Sequence, residues 1–110
     1  MEEGDAMPTY LIVYHGGGLP VEPQRRATEM ERWMAWFREL GPVVLDKGNP
    51  ASTMRTIRPD GSVTDPGSVA GSGYLMIEAV DIDEAVHRCR DCPPLALGAT
   101  VDVMETYEPD

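Results

Sequence analysis

The chain has 110 residues, 42% of them hydrophobic, with 11 Gly and 10 Pro. This is the balance of one modest globular domain and excludes a disordered or low-complexity chain. Nineteen acidic side chains against nine basic ones leave a net charge of −10, a field that repels phosphate and anionic lipid and speaks against a nucleic-acid or membrane-surface partner. No apolar run approaches the roughly 18 residues of a membrane span, the start Met1-Glu2-Glu3-Gly4-Asp5 is acidic where a secretory signal is basic, and two cysteines make no disulfide framework, so a cytoplasmic protein is expected.

Residues 1–8 read as an acidic tail and 9–108 as a single domain. Thr9 to Tyr14 is short, β-branched and aromatic, apolar at both parities and closed by Gly16-Gly17-Gly18, which predicts a central strand. After Pro20-Val21-Glu22-Pro23, the residues Ala27, Met30, Trp33, Met34, Phe37 and Leu40 recur at spacings of three and four until Gly41-Pro42. A long helix is expected there, its apolar stripe laid on a sheet and its wet side carrying Arg25, Glu29, Glu31, Arg32 and Arg38.

Val43-Val44-Leu45 predicts a second strand, ended by Asp46-Lys47-Gly48-Asn49-Pro50. A loop-rich, mobile stretch is expected next, with Ser52 to Ile57 as a short extended arm and turns at Pro59-Asp60-Gly61 and Asp65-Pro66-Gly67. Tyr74 to Val80 predicts a third strand, apolar on both faces apart from Glu78. Asp81 and Glu84 carry a capping-box pattern before Ile82, Ala85, Val86 and Cys89, which share a helical face; Pro93-Pro94 stops that helix. Thr100 to Tyr107 alternates, as in a last strand with one wet face.

The order β-α-β-β-α-β predicts an α+β sandwich of the ferredoxin-like kind: a four-stranded antiparallel sheet, order 4-1-3-2, with two helices on one face. Two helices cover one sheet face, yet the central strands are apolar on both. The second face therefore predicts a partner, most simply a second copy docked sheet to sheet as a homodimer.

The chain resembles the YCII-related proteins, a branch of the dimeric α+β barrel superfamily. The resemblance rests on Tyr10-Leu11-Ile12-Val13-Tyr14-His15-Gly16-Gly17, on Trp33-Met34-Ala35-Trp36-Phe37 followed by Glu39-Leu40-Gly41, and on Asp46 with Gly48-Asn49-Pro50. Gly73-Tyr74 before Ile77-Glu78-Ala79, and Cys92-Pro93, complete it, so it runs from about Thr9 to Tyr107. Val63-Thr64-Asp65-Pro66-Gly67 departs from the Asp-Gly-Pro-Phe signature of one large subgroup. The resemblance implies the fold, the dimeric barrel and no agreed activity. It also implies a His–Asp pair as a catalytic element, carried here by His15 and Asp46.

Topology adds geometry to that pair. In the order 4-1-3-2 the first two strands run parallel and end at one edge, so His15 and Asp46 come to the same edge on strands about 10 Å apart, room for a cleft holding a small ligand. An imidazole oriented by a carboxylate would serve as general acid or base; alternatively His15 caps a strand end and Asp46 is a solvated turn residue. Around this edge Lys47, Asn49, Ser52 and Arg55 are candidates to hold an anionic group; the alternative is salt-bridged rim residues, the favoured reading for Lys47, whose flexible stem sits in water, and an open one for Arg55 on its strand-like arm.

Other motifs carry less. His15-Gly16-Gly17-Gly18 has the form of a lipase oxyanion loop, but no Gly-x-Ser-x-Gly accompanies it; neither dinucleotide nor P-loop spacing follows the three glycines. Cys89-Arg90-Asp91-Cys92 lies at a helix C-terminus, where the dipole disfavours a thiolate, and the spacing supplies no fourth zinc ligand, so packed cysteines are expected. No metal or other cofactor is implied, and His15 alone is a poor haem ligand. The functional expectation is a homodimer with a cleft for a small, anionic organic ligand, with cofactor-free acid–base chemistry by His15 and Asp46; the alternative is a non-catalytic metabolite-binding or protein-interaction module.

Overall fold

The computed structural model describes residues 7–66 and 71–109. Most of the acidic stretch expected as a tail, residues 1–6, lies outside them. Strand β1 spans Thr9–His15, helix α1 Pro23–Leu40, β2 Val44–Asp46, β3 Thr56–Ile57, β4 Val63–Thr64, β5 Gly71–Glu78, α2 Ile82–Cys89 and β6 Thr100–Glu105.

Local chemistry sets the boundaries. Glu22 caps α1 by accepting from the Arg25 amide at 2.8 Å, and Pro23 occupies a first-turn position where no intrahelical N–H is needed. Gly41, at φ +67°, closes the helix by donating to the Phe37 carbonyl. Asp81 caps α2 by accepting from the Glu84 amide at 2.8 Å, and Glu84 reaches back to the Val80 amide at 2.7 Å. Helix α2 ends at Cys89, before the prolines: Arg90 and Cys92 donate back to His87 and Cys89, and Pro93–Leu97 winds into a separate 3-10 turn.

The sheet runs β2-β5-β1-β6 with every pairing antiparallel. Tyr10, Ile12 and Tyr14 of β1 and Leu75 and Ile77 of β5 are buried, together with Trp36 and Leu40 of α1 and Ala85 and Cys89 of α2. Both helices therefore lie on one face of the sheet. The opposite face carries Leu11 and Val13, paired across the strands with Met76, Tyr74, Met104 and Asp102.

Three expectations are corrected. The buried line of α1 is Glu29, Trp36 and Leu40 flanked by Trp33 and Phe37, whereas Met30 and Met34 stay 42% and 43% exposed. The rings explain this rotation: Trp33 meets Tyr14, Trp36 and Phe37 at centroid distances of 5.1, 5.9 and 5.6 Å, and seating three aromatics outweighs seating two methionines. The expected arm to Ile57 and the turn at Pro59-Asp60-Gly61 are present, but as parts of a hairpin, β3 against β4, closed by the Gly61 amide on the Arg58 carbonyl and the Ser62 amide on Asp60, and not as loop; Gly67 of the next expected turn lies outside the described residues. The last strand stops at Glu105 and leaves Tyr107 exposed. Among the described residues no helix is long and apolar enough to cross a membrane.

Candidate functional site

β1 and β2 end, and β5 begins, at one edge of the sheet, so three loops converge there beside α1. Between them lies a cleft of about 890 Å³. Ser72 of β5 ties the frame together. Its hydroxyl donates to the Gly16 carbonyl at 2.7 Å, fixing the glycine loop, while its own carbonyl accepts from the Ala51 amide at 3.0 Å, fixing the loop after β2. Gly48 seats that loop directly on the Tyr74 carbonyl, an approach that leaves no room for a Cβ, at a φ of +67° that itself favours glycine. Asp46 shapes the same turn by accepting from the Gly48 amide at 2.8 Å.

The walls are aromatic and the charge is of one sign. Tyr14, Trp33 and Phe37 line the cleft, Tyr74, whose strand position faces the other side of the sheet, borders it beside Gly48, and Lys47 holds its ammonium 5.7 Å from the centre of the Phe37 ring. Arg26 from the second turn of α1 is the other cation in the lining. Among the described residues no acidic side chain lines the cleft, although the chain carries 19. Behind this wall the Tyr14 hydroxyl is buried without a hydrogen-bond partner, and desolvation pushes its ionisation well above the usual phenol range.

Of the candidate site residues, Asn49 and Ser52 line the cleft with Lys47, and Arg55 does not; its guanidinium donates to the neighbouring Met54 carbonyl at 2.9 Å. His15 and Asp46, expected to flank the cleft, both fall outside its lining. His15 Nε2 lies 2.9 Å from Asp102 Oδ2 of β6, and Asp46 serves its own turn. The reason is strand alternation: Tyr14 faces the helices and the cleft, so His15, one residue on, faces the open side of the sheet, where Asp102 lies diagonally across from it. Asp102 was legible only as one residue of an alternating last strand: the expected order sets that strand beside β1, but the register that brings Asp102 to His15 is fixed by packing and not by local sequence.

Arg26, Met30, Met34, Ser72 and Tyr74 escaped the sequence reading. The signal was a hydrophobic arc on α1 too wide for one contact face, since Trp33 and Phe37 serve both core and cleft. Cys89 and Cys92 are buried, and desolvation pushes their thiols up to about 11 and about 12, as packed cysteines rather than reactive thiolates.

No family model matches the chain, and no curated protein matches it. Among solved structures, the chain is similar to 5-chloro-2-hydroxyhydroquinone dehydrochlorinase (TftG) from Burkholderia phenoliruptrix AC1100, determined in complex with 2,5-dihydroxybenzoquinone. The TM-score is 0.53 at 20% identity, over 91% of this chain and 93% of that one. The likeness shows a shared fold.

Proposed function

We propose that this chain is a YCII-related protein that acts as a homodimer and holds a small anionic organic molecule in the cleft between α1 and the β1–β2 edge of the sheet. The observation that carries the reading is the lining: two cations, the aromatic residues Tyr14, Trp33 and Phe37, and no carboxylate among the described residues, in a chain of net charge −10. An anion is repelled by the acidic remainder of such a surface and is steered to a concave region whose described lining carries cations and no carboxylate. Asn49 and Ser52 supply neutral donors and acceptors, and the aromatic faces supply contact area. A cytoplasmic, reducing setting fits the two buried thiols. That a structure of this fold, from Burkholderia phenoliruptrix AC1100, was obtained with a hydroxylated quinone supports the size and type of ligand, and this reading calls for no cofactor.

The homodimer is supported by the open sheet face. Leu11 and Met76 lie directly opposite one another across β1 and β5, with Met104 on the other side of Leu11, on the face that neither helix covers. In a sheet-to-sheet dimer these residues meet their copies.

A second reading, cofactor-free acid–base chemistry, rests on the 2.9 Å contact of His15 with Asp102. The carboxylate accepts from Nε2–H and fixes the orientation of the ring. Such chemistry belongs to the space between the two sheets of the dimer, apart from the cleft, so the non-catalytic metabolite-binding reading is the one the cleft supports by itself.

The test is a crystal soak and fluorescence titration with small carboxylates and hydroxybenzoquinones. Density against Trp33 and Lys47, together with quenching that Trp33→Phe removes, is the expected result. A panel that leaves fluorescence and density unchanged overturns the binding reading. For the second reading, His15→Asn should abolish turnover of a bound ligand with the melting temperature preserved; unchanged turnover removes it.

A further inference from the structure

The cleft runs along α1 rather than sitting at one of its ends. Arg26 and Phe37 both line it, and eleven residues of helix set them about 16 Å apart along the axis and within about 20° of the same side. At the first end, Arg26 shares the lining with Gly17 and Gly18, which lie shortly before the helix in the chain and whose amides donate to no acceptor among the described residues. Gly16 and Gly17 both have positive φ, at 74° and 54°, and such turns leave successive N–H groups to form concavities that favour anions. At the far end, Lys47 stands over Phe37. Between the two ends the helix offers Met30, Trp33 and Met34 and no charge.

Neither end cation is neutralised within the described chain. Arg26 and Lys47 take part in no ion pair among the described residues, as holds for most of the chain's cations, only Arg32 and Arg88 having Glu29 and Glu84 at 3.9 and 3.3 Å; what sets Arg26 and Lys47 apart is that they line the cleft. From this spacing we infer that the cleft takes an elongated dianion: a flat, apolar or aromatic body with an acidic group at each end, one met by Arg26 and the glycine loop, the other by Lys47 with Asn49 and Ser52. A compact single anion leaves one cationic end unmet. This rests on the binding reading above and adds the length and the second charge.

Two probes of one shape separate the cases: biphenyl-4,4′-dicarboxylate and biphenyl-4-carboxylate, titrated against wild type, Arg26→Gln and Lys47→Gln by Trp fluorescence and calorimetry. Both substitutions fall on exposed side chains, and matching melting temperatures verify the fold. The dianion is expected to bind wild type at least tenfold more tightly than the monoanion, with the ratio falling below threefold in each variant and steeper salt dependence for the dianion. Equal binding of the two probes by wild type overturns the two-ended site and leaves the binding reading standing. Binding of neither probe, with no response to the wider carboxylate panel, overturns both.

Discussion

At Gly48 a side chain has nowhere to go: a Cβ would overlap the Tyr74 carbonyl oxygen, and the backbone sits at φ +67°. Gly48→Ala must therefore either strain the turn or lift the loop away from β5. Left-handed strain alone costs about 1–3 kcal/mol for a non-glycine residue. For a domain of this size that corresponds to a fall in Tm on the order of 10 °C, which differential scanning calorimetry measures. Because the same loop presents Lys47, Asn49 and Ser52, the variant should also lose the ligand-induced quenching of Trp33. An unchanged Tm and unchanged quenching would mean that the close approach of Gly48 to Tyr74 is not part of the cleft wall. Gly48 was visible in the sequence as turn chemistry; its contact with β5 was not, since nothing local specifies which strand a loop will rest on.

Helix α2 and the turn after it bury Cys89 and Cys92, and the two thiols give this element a pH signature. Burial raises both from the ordinary 9.0, to about 11 and about 12, because the folded environment disfavours the thiolate. In the unfolded chain they ionise at the ordinary value, so the native state holds more protons across that window. Their contribution to stability is complete below about pH 9 and is lost as pH rises toward 11–12. Tyr10 and Tyr14 shift in the same direction but start from 10.0, so the earliest part of the decline belongs to the thiols. Urea unfolding between pH 8 and 10 should show stability falling above pH 9, with a shallower fall in the Cys89→Ala, Cys92→Ala double variant despite its lower stability at pH 8; parallel profiles would contradict the assignment. At this scale the sequence was informative: the Asp81–Glu84 cap and the packed cysteines are local patterns. The rotation of α1 was not, because Met30 and Phe37 are equally apolar and only the competition of Trp33, Trp36 and Phe37 for the sheet decides which face turns inward.

For the molecule as a whole, the decisive surface is the sheet face that neither helix covers. Met76→Lys places a charge beside Leu11, where a sheet-to-sheet dimer would have to desolvate it. Sedimentation should find wild type at twice the 12.1 kDa chain mass and the variant at the chain mass, with quenching by cleft ligands retained. A wild-type chain that sediments singly at micromolar concentration refutes the dimer and removes the second, interfacial reading of His15. Alternating and continuous apolar runs, the two punctuated helices and the order of elements determined the fold class, the shared edge of β1 and β2 and the presence of Asn49 and Ser52 beside a cleft, because these follow from residue periodicity and chain connectivity. Tertiary structure alone decided that His15 joins Asp102 rather than Asp46, that Ser72 links two loops, and that α1 turns Met30, Met34 and Arg26 to the cleft. Each depends on which side chain of an alternating strand or rotating helix faces a neighbour, a choice made by packing between segments far apart in the chain.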